Sequence, residues 1–365
     1  MLTKAAVTLG KGEPFQITDI MVDDPQPGEV LVRLVATGIC HTDILAQNQA
    51  YPVPLPAVLG HEGSGVIEKV GMGVTNIEPG DHVVLSYSSC GGCPNCLAGK
   101  PYACEQFYSL NFEGKMGDGT CRLHKGDQDL SNFFGQSSFS HYSVANARNV
   151  IKVPKDVPIE MLGPLGCGIQ TGSGAVLNRL KPPPGSSLAV FGIGAVGLSA
   201  LMGAAVSHCA TIIAVDIQDS RLELSKELGA THTINAKEQD VVETIMDITG
   251  NKGIDYAVEA SGRPENTRFA VDSLAVLGTV VQVGAPALGT EVTLDMNTLL
   301  FERKLTGFLM GGSVPQLYIP MLIELYKQGK FPFDKLIKYY TLDEINQAIE
   351  DSKEGTTIKP IIKLA

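Results

Sequence analysis

Four cysteines lie close together in one short segment. Cys90, Cys93, Cys96 and Cys104 form the pattern C-x-x-C-x-x-C, with a fourth thiol eight positions further on. Thiolates bind zinc strongly, and these short spacings let one loop wrap a tetrahedral ion. Four thiolates close the coordination shell, so the pattern predicts a structural zinc site with no place for water or substrate. An iron–sulfur cluster, which cysteines also hold, is the alternative.

A second set of zinc-ligating residue types is scattered along the chain. Cys40 lies in the stretch GICHTD, His61 in GHEGSG and Cys167 in GCG. Two thiolates and one imidazole leave the fourth position of a tetrahedron open, which is typical of catalytic zinc. For each residue taken singly, a packed cysteine or an ordinary histidine is the simpler interpretation, and spacing alone does not reveal a metal site.

A glycine-rich turn predicts a dinucleotide site. Gly192, Gly194 and Gly197 fit the fingerprint G-x-G-x-x-G, directly after a predicted strand over 187–191 and at the start of a helix-like run over 196–207. The first glycine permits the tight turn, the second lets a pyrophosphate approach the backbone, and the third lets the helix pack closely on the strand. The free N–H groups of the helix start then face the phosphates.

Asp216 ends the next predicted strand, 19 positions after Gly197. A carboxylate there accepts hydrogen bonds from the adenosine ribose hydroxyls and repels a 2′-phosphate, which favours NAD over NADP. The alternative is an aspartate that only caps the following helix.

These residues lie in two stretches of different character. Up to about residue 150, short β-rich runs such as 29–34, 65–70 and 81–85 alternate with turn residues, which indicates a small β-rich barrel or sandwich. After Cys167, strands alternate with helices, which predicts βαβ units and a parallel sheet. The predicted strands are 187–191, 211–215, 233–234, 256–259 and 279–283, with a late amphipathic helix over 316–328 and a last strand over 361–364.

Composition restricts the class of protein. The 365 residues exceed the usual size of one hydrophobic core, so we expect two domains. The net charge of −11 and the lack of a basic run argue against a nucleic-acid surface. Apolar stretches are broken before membrane-spanning length, and residues 1–7 resemble a strand and not an export signal. Clustered cysteines then favour metal ligation over disulfides, and we expect a cytoplasmic enzyme.

The motifs together resemble the medium-chain zinc alcohol dehydrogenase family, over nearly the whole chain. The likeness is carried by GHEGSG at 60–65, the four-cysteine loop, PLGCGIQTG at 164–172 and VGAP at 283–286. A closer resemblance is to the bacterial benzyl (aryl) alcohol dehydrogenases, across 51–64, 162–172 and 329–363.

This resemblance implies a fold of two domains. A GroES-like β-barrel catalytic domain would comprise 1–168 and 310–365, and a Rossmann domain with a doubly wound parallel sheet, 169–309, would be inserted in it. It also implies two zinc ions per subunit, NAD as cofactor, and oxidation of a primary aromatic alcohol to its aldehyde by hydride transfer from a zinc-stabilised alkoxide. Relatives are dimers or tetramers, so a homo-oligomer is expected.

The family pattern assigns roles around the catalytic zinc. Cys40, His61 and Cys167 would hold the ion, and Asp43 would orient the His61 imidazole. Glu62 matches an acidic residue that approaches the metal during ligand exchange. Thr42 matches the hydroxyl that accepts the proton of the substrate.

Other positions match cofactor contacts. Thr171 would pack against the nicotinamide, His41 and Lys359 resemble pyrophosphate-binding cations, and Arg221 resembles the basic residue near the adenosine ribose. A solvated surface charge is the alternative for each of the three cations.

One position departs from the family pattern. Many relatives end their proton relay in a histidine five residues after the first cysteine ligand, where this chain has Leu45. Proton release would then run from Thr42 through the cofactor ribose to water, or by another group. With Tyr51 also at a pocket-lining position, Leu45 predicts an apolar, partly aromatic pocket suited to a benzylic alcohol.

Rival functions remain open at this stage. S-hydroxymethylglutathione (formaldehyde) dehydrogenases share both zinc sites, and a broad aliphatic alcohol dehydrogenase is a further alternative. A zinc-free quinone or enone reductase would not need both cysteine sets. A zinc-ribbon binding module is disfavoured by the cofactor fingerprint and the acidic charge. A non-catalytic, crystallin-like protein would bind the cofactor tightly without zinc-dependent turnover.

Overall fold

The computed structural model describes residues 1–364. The β-strands are β1 Leu2–Thr8, β2 Gln16–Val22, β3 Glu29–Gly38, β4 Ala57–Val58, β5 Gly63–Val70, β6 His82–Leu85, β7 Leu123–Lys125, β8 Gln128–Leu130, β9 Tyr142–Asn146, β10 Val150–Lys152, β11 Ser187–Phe191, β12 Thr211–Asp216, β13 His232–Asn235, β14 Ile254–Glu259, β15 Leu274–Gln282, β16 Lys304–Gly307, β17 Ile337–Thr341 and β18 Lys359–Lys363. The α-helices are α1 His41–Gln47, α2 Pro94–Leu97, α3 Phe107–Phe112, α4 Gly168–Gly174, α5 Ala195–Val206, α6 Asp219–Glu227, α7 Val241–Ile248, α8 Pro264–Asp272, α9 Met296–Leu299, α10 Pro315–Lys327 and α11 Ile345–Glu354.

The first compact unit comprises Met1–Cys167, Val314–Leu322 and residues 334–364. It contains a five-stranded sheet of order β4-β1-β2-β7-β8 and a seven-stranded sheet of order β10-β6-β5-β3-β18-β17, in which β9 also pairs with β3. The pairs are antiparallel, except that β17 and β18 run parallel. The predicted β-rich character of this part of the chain is confirmed.

The second compact unit comprises Gly168–Ser313 and Ile323–Phe333. Its six strands are all parallel, in the order β13-β12-β11-β14-β15-β16. The first strand is thus central and the order reverses beside it, as in the doubly wound dinucleotide-binding fold. The sequences of β11, β12 and β14 are SLAVF, TIIAVD and IDYAVE. They are almost entirely apolar because helices cover both faces of a parallel sheet and bury its strands. The predicted Rossmann sheet is confirmed.

The C-terminal residues are divided between the two units differently from the predicted domain limits. Residues 310–365 were assigned to the catalytic domain, whereas residues 323–333 group with the second unit. The change of unit falls inside α10, shortly after its internal Pro320, and the apolar helical pattern of the sequence continues on both sides of that proline. Phe331 and Phe333 of this segment are both fully buried.

Among residues 1–364, every helix is too short or too polar to cross a bilayer.

A buried ion pair connects the two sheets of the first unit. The Arg122 guanidinium, just before β7, donates to both carboxylate oxygens of Glu29 at the start of β3, each at 2.9 Å. It also donates to Asp118 at 2.6 Å. Arg122 and Glu29 are both buried, so each charge depends on the other for compensation.

We expect Arg122→Met to lower the free energy of unfolding by about 3–5 kcal/mol, because it leaves the Glu29 carboxylate buried without its partner. Lys4→Met is the control, since it removes a solvent-exposed pair with Asp19 and should cost less than about 1 kcal/mol. Urea unfolding followed by circular dichroism measures both. Equal losses for the two variants would contradict the prediction.

Candidate metal centres and dinucleotide site

One group of four potential ligands lies inside the first unit. Cys40 directly precedes α1, His61 and Glu62 precede β5, and Cys167 follows a tight turn over 163–166. Their ligand atoms all lie within 4.8 Å of one another. The structure therefore brings together the three predicted ligands, which lie 21 to 127 positions apart in sequence. It also places the Glu62 carboxylate beside them.

Asp43 organises this group from the first turn of α1. Its Oδ1 lies 2.8 Å from His61 Nδ1 and accepts a hydrogen bond from the Gly60 N–H at 3.1 Å. Its Oδ2 accepts from the Cys40 N–H at 2.9 Å. A fully buried carboxylate holds Nδ1 in its protonated form, so the lone pair of the imidazole is on Nε2.

The chemistry of this group fits a zinc ion. His61 Nε2 is buried and has no hydrogen-bond partner within residues 1–364, although an unsatisfied buried nitrogen is costly. A hydrogen bond with the Cys167 thiol, helped by His61, holds the pKa of Cys40 well below its usual value, so a thiolate is favoured there. Two sulfurs and one imidazole around a buried point are a typical catalytic zinc set.

Glu62 and Lys359 form a buried ion pair beside these ligands. Their Oε2 and Nζ atoms are 2.5 Å apart, and Nζ also donates to the Ile39 carbonyl at 3.0 Å. Burial raises the pKa of Glu62 to about 7, against the opposing charge of Lys359. Lys359 was predicted to bind the cofactor pyrophosphate. The structure instead places its ammonium, almost fully buried, between Glu62 and the backbone that leads to Cys40.

α1 carries the other predicted catalytic positions. Thr42 Oγ1 lies 3.8 Å from the Cys40 sulfur, which places the hydroxyl at the edge of the ligand group. Leu45 is partly buried, and its carbonyl accepts from the Tyr51 N–H at 3.1 Å. His41 is exposed, consistent with either a surface charge or a ligand contact.

Aromatic residues that sequence reasoning missed surround the metal histidine. The His61 ring stacks on Phe134 at 4.5 Å and meets Phe133 edge-on at 5.5 Å. Phe112 contacts both phenylalanines, and Tyr51 packs edge-on against Phe112 at 6.0 Å. Residues 132–135 (NFFG) have the sequence of a short apolar turn, and nothing in that pattern indicates a contact with His61.

The four-cysteine loop forms a second ligand group. The sulfurs of Cys90, Cys93, Cys96 and Cys104 all lie within 4.8 Å of one another. Backbone N–H groups point at them: that of Cys93 donates to Cys90 Sγ, and that of Cys90 to Cys104 Sγ, each at 3.3 Å. Donation from the backbone of Glu105 lowers the pKa of Cys93 to about 6. Such donors stabilise thiolates, and the set fits a structural zinc ion.

The glycine turn of the second unit has the geometry that its sequence predicts. Gly192 has φ of 81°, which favours glycine, and it directly follows β11. A Cβ on Gly194 would have no atom within 4 Å, so the backbone there is open to a ligand. A Cβ on Gly197 would lie 2.0 Å from the Gly192 carbonyl oxygen, so only glycine allows α5 to pack this closely on the turn.

Asp216 lies at the end of β12 beneath this turn. Its Oδ2 accepts from the Ile193 N–H at 2.8 Å, and its Oδ1 accepts from the N–H groups of Ile217 and Gln218 at 2.8 and 3.0 Å. The carboxylate thus ties the glycine turn to the start of α6. Arg221 Nη1 lies 3.9 Å from Asp216, and the buried Nε of Arg221 has no hydrogen-bond partner among residues 1–364.

Two further residues lie in the second unit. Thr171 is partly buried in α4. Glu259 was identified from the sequence only as the last residue of a strand, and it is fully buried at the end of β14. It accepts hydrogen bonds from the Ser261 and Gly262 N–H groups and from the Gln282 side chain. It therefore links the ends of β14 and β15, the edge where doubly wound sheets bind their ligands.

Comparison with known proteins identifies two matching families. Residues 26–155 match the family described as "Alcohol dehydrogenase GroES-like domain", and residues 195–328 match "Zinc-binding dehydrogenase". These matches agree with the predicted GroES-like and zinc-binding character.

Individual proteins resemble the chain over its full length. The crystal structure of benzyl alcohol dehydrogenase from Acinetobacter calcoaceticus is 52% identical, with a TM-score of 0.97 and 100% of each chain covered. Geraniol dehydrogenase from Castellaniella defragrans is 42% identical over 98% of this chain and 97% of the relative. S-(hydroxymethyl)glutathione dehydrogenase from Synechocystis is 37% identical over 99% of this chain and 100% of the relative.

The glycine turn allows a paired test. Gly197→Ala should lower the free energy of unfolding by about 1–3 kcal/mol, because its methyl group would overlap a backbone oxygen. Gly194→Ala should cost less than about 1 kcal/mol but weaken NAD binding, since its methyl group enters the open space above the turn. Thermal unfolding without cofactor and calorimetric NAD titration separate the two effects. Unchanged NAD affinity in Gly194→Ala would argue against a cofactor at this turn.

Proposed function

We propose that this chain, which belongs to the zinc-dependent medium-chain alcohol dehydrogenase family, oxidises a primary benzylic alcohol to its aldehyde with NAD as hydride acceptor. The observation that carries the proposal is the group of Cys40, His61 and Cys167, whose imidazole faces the two thiols with an unsatisfied nitrogen. Cys90, Cys93, Cys96 and Cys104 hold the structural zinc in this proposal.

The aromatic surroundings of His61 support an aryl substrate. Phe133 and Phe134 contact the metal histidine directly, and Phe112 and Tyr51 extend the cluster away from it. A benzyl ring bound beside this cluster would gain aromatic contacts in addition to the burial of its apolar area. Leu45 adds an apolar side chain where many relatives carry a histidine.

The protein's own residues orient the reactants and move the proton. When bound, zinc supplies a Lewis acid that favours the deprotonated alcohol, and NAD supplies the hydride acceptor. The Thr42 hydroxyl, beside Cys40, would accept the alcohol proton while releasing its own proton towards water. Asp43 keeps the His61 ring in one orientation and one tautomer. The Asp216 carboxylate disfavours a 2′-phosphate, which supports NAD over NADP.

A second substrate is favoured by the relatives that oxidise S-(hydroxymethyl)glutathione. The glutathione part of that substrate carries two carboxylates, which would need an anion-binding pocket away from the reacting carbon. Benzyl alcohol and geraniol, the substrates that name the other two relatives, are primary alcohols with a π system beside the carbinol carbon. The aromatic cluster at His61 suits these better.

The decisive experiment follows NAD reduction by absorbance with benzyl alcohol, ethanol and S-hydroxymethylglutathione. We expect kcat/KM for benzyl alcohol to exceed that for ethanol by about tenfold or more, because the aryl ring adds apolar contacts. Removal of zinc with a chelator should abolish turnover, and added Zn²⁺ should restore it. A preference for the glutathione adduct would support the second substrate, and chelator-resistant turnover would refute the catalytic metal.

We further propose a cytoplasmic homo-oligomer. None of the eight cysteines, all of which lie in the described residues, forms a disulfide, which suits a reducing compartment. β16 is the outermost strand of the parallel sheet, and exposed apolar side chains lie on and before it, among them Leu300, Phe301 and Leu305. An open strand edge with apolar side chains is self-complementary, because a second copy can pair with it about a two-fold axis.

Leu305→Lys should shift the chain from dimer or tetramer towards smaller species, since it places a charge on this edge. Leu317→Lys is the matched control, because Leu317 is an exposed leucine on α10 in the first unit. Light scattering after size-exclusion chromatography measures the mass. A monomeric wild-type chain would rule out the oligomer.

A further inference from the structure

A buried glutamine contacts the backbone on both sides of the metal histidine. Gln136 is 1% exposed. Its Oε1 accepts from the Gly63 N–H at 3.1 Å, and its Nε2 donates to the His61 carbonyl at 3.0 Å. Asp43 orients the ring of His61, whereas Gln136 holds its main chain.

The same amide group reaches the segment of a second ligand through Ser86. Gln136 Nε2 also donates to the Ser86 carbonyl at 3.2 Å. The Ser86 hydroxyl, itself fully buried, donates to the Gly166 carbonyl at 2.7 Å, directly before Cys167. A continuous path of hydrogen bonds therefore runs from the His61 backbone to the Cys167 backbone.

Close packing holds this path in one arrangement. The segment 133–139 lies along the approach to His61, with the Ser138 N–H donating to Gly60 and the Phe139 N–H to Leu59. At the other end, a Cβ on Gly166 would lie 2.0 Å from the Leu85 carbonyl oxygen, so the turn before Cys167 is pressed against β6. With all three amide contacts buried, reorienting Gln136 would leave polar groups unsatisfied.

We infer that Gln136 and Ser86 are positioning residues, which set the separation of His61 and Cys167 and so retain the catalytic zinc. Neither side chain is among the four grouped ligand residues; each acts on the backbone that presents one. Partners in the outer shell of a metal site commonly change metal affinity by 10- to 100-fold. This inference rests on the proposed catalytic zinc and does not depend on which alcohol is oxidised.

Zinc release to a chromogenic chelator tests the inference without measuring activity. The wild-type chain should release two zinc ions in separable phases, from the catalytic and the four-cysteine sites. Ser86→Ala and Gln136→Leu should each accelerate the catalytic phase on the order of tenfold or more. The four-cysteine phase should stay unchanged and serves as an internal reference. Cobalt substituted for the catalytic zinc should show shifted visible absorption bands in both variants.

Ser88→Ala is the matched control. Ser88 is also a buried serine near β6, but its hydroxyl donates to the Phe134 carbonyl and does not contact Gly166. Wild-type release rates and cobalt spectra in both test variants, or an equal change in Ser88→Ala, would overturn the inference. If Gln136→Leu fails to fold, Ser86→Ala alone decides. A wild-type chain that binds no zinc at Cys40, His61 and Cys167 would refute the proposed function itself, which is distinct from wild-type zinc release in the Gln136 and Ser86 variants.

Discussion

The structure of the first unit depends on one buried carboxylate. Asp43 accepts hydrogen bonds from the Cys40 backbone, the Gly60 backbone and the His61 ring. A buried anion is tolerated only where donors surround it. Those donors come from the start of α1 and the approach to β5, so satisfying Asp43 also brings two metal ligands together. Folding and ligand placement therefore share the same contacts.

In the second unit, close steric packing at the glycine turn fixes the position of α5. At the end of β11, Gly197 packs on the Gly192 carbonyl, while Gly194 stays open. Below the turn, Asp216 accepts hydrogen bonds from three backbone N–H groups. On the other side of β11, Glu259 at the end of β14 accepts from two more. The carboxyl edge of the sheet is thus rigid before any cofactor binds, which reduces the entropy lost on binding.

The sequence predicts structures that are formed by residues close together in the chain better than contacts between distant segments. The glycine turn and the four-cysteine loop are local patterns, and their geometry follows from spacing and steric rules. The metal trio required a family resemblance, because residues from three distant segments share no period. Gln136 and the phenylalanines beside it carried no signal, since their contacts form only after β3, β5 and β6 have paired. The ion pair of Lys359 with Glu62 carried no signal for a similar reason, because the two residues lie almost 300 positions apart in sequence.

The position of β18 has a consequence for how the protein is made. This strand, which carries Lys359, inserts between β3 and β17 and pairs antiparallel with β3, more than 300 residues earlier in the chain. The parallel sheet formed by β11 to β16 emerges from the ribosome well before it. That sheet can therefore form while the seven-stranded sheet still lacks an inner strand. The ligand group of the first unit therefore gains the Lys359 partner of Glu62 only after β18 has been translated.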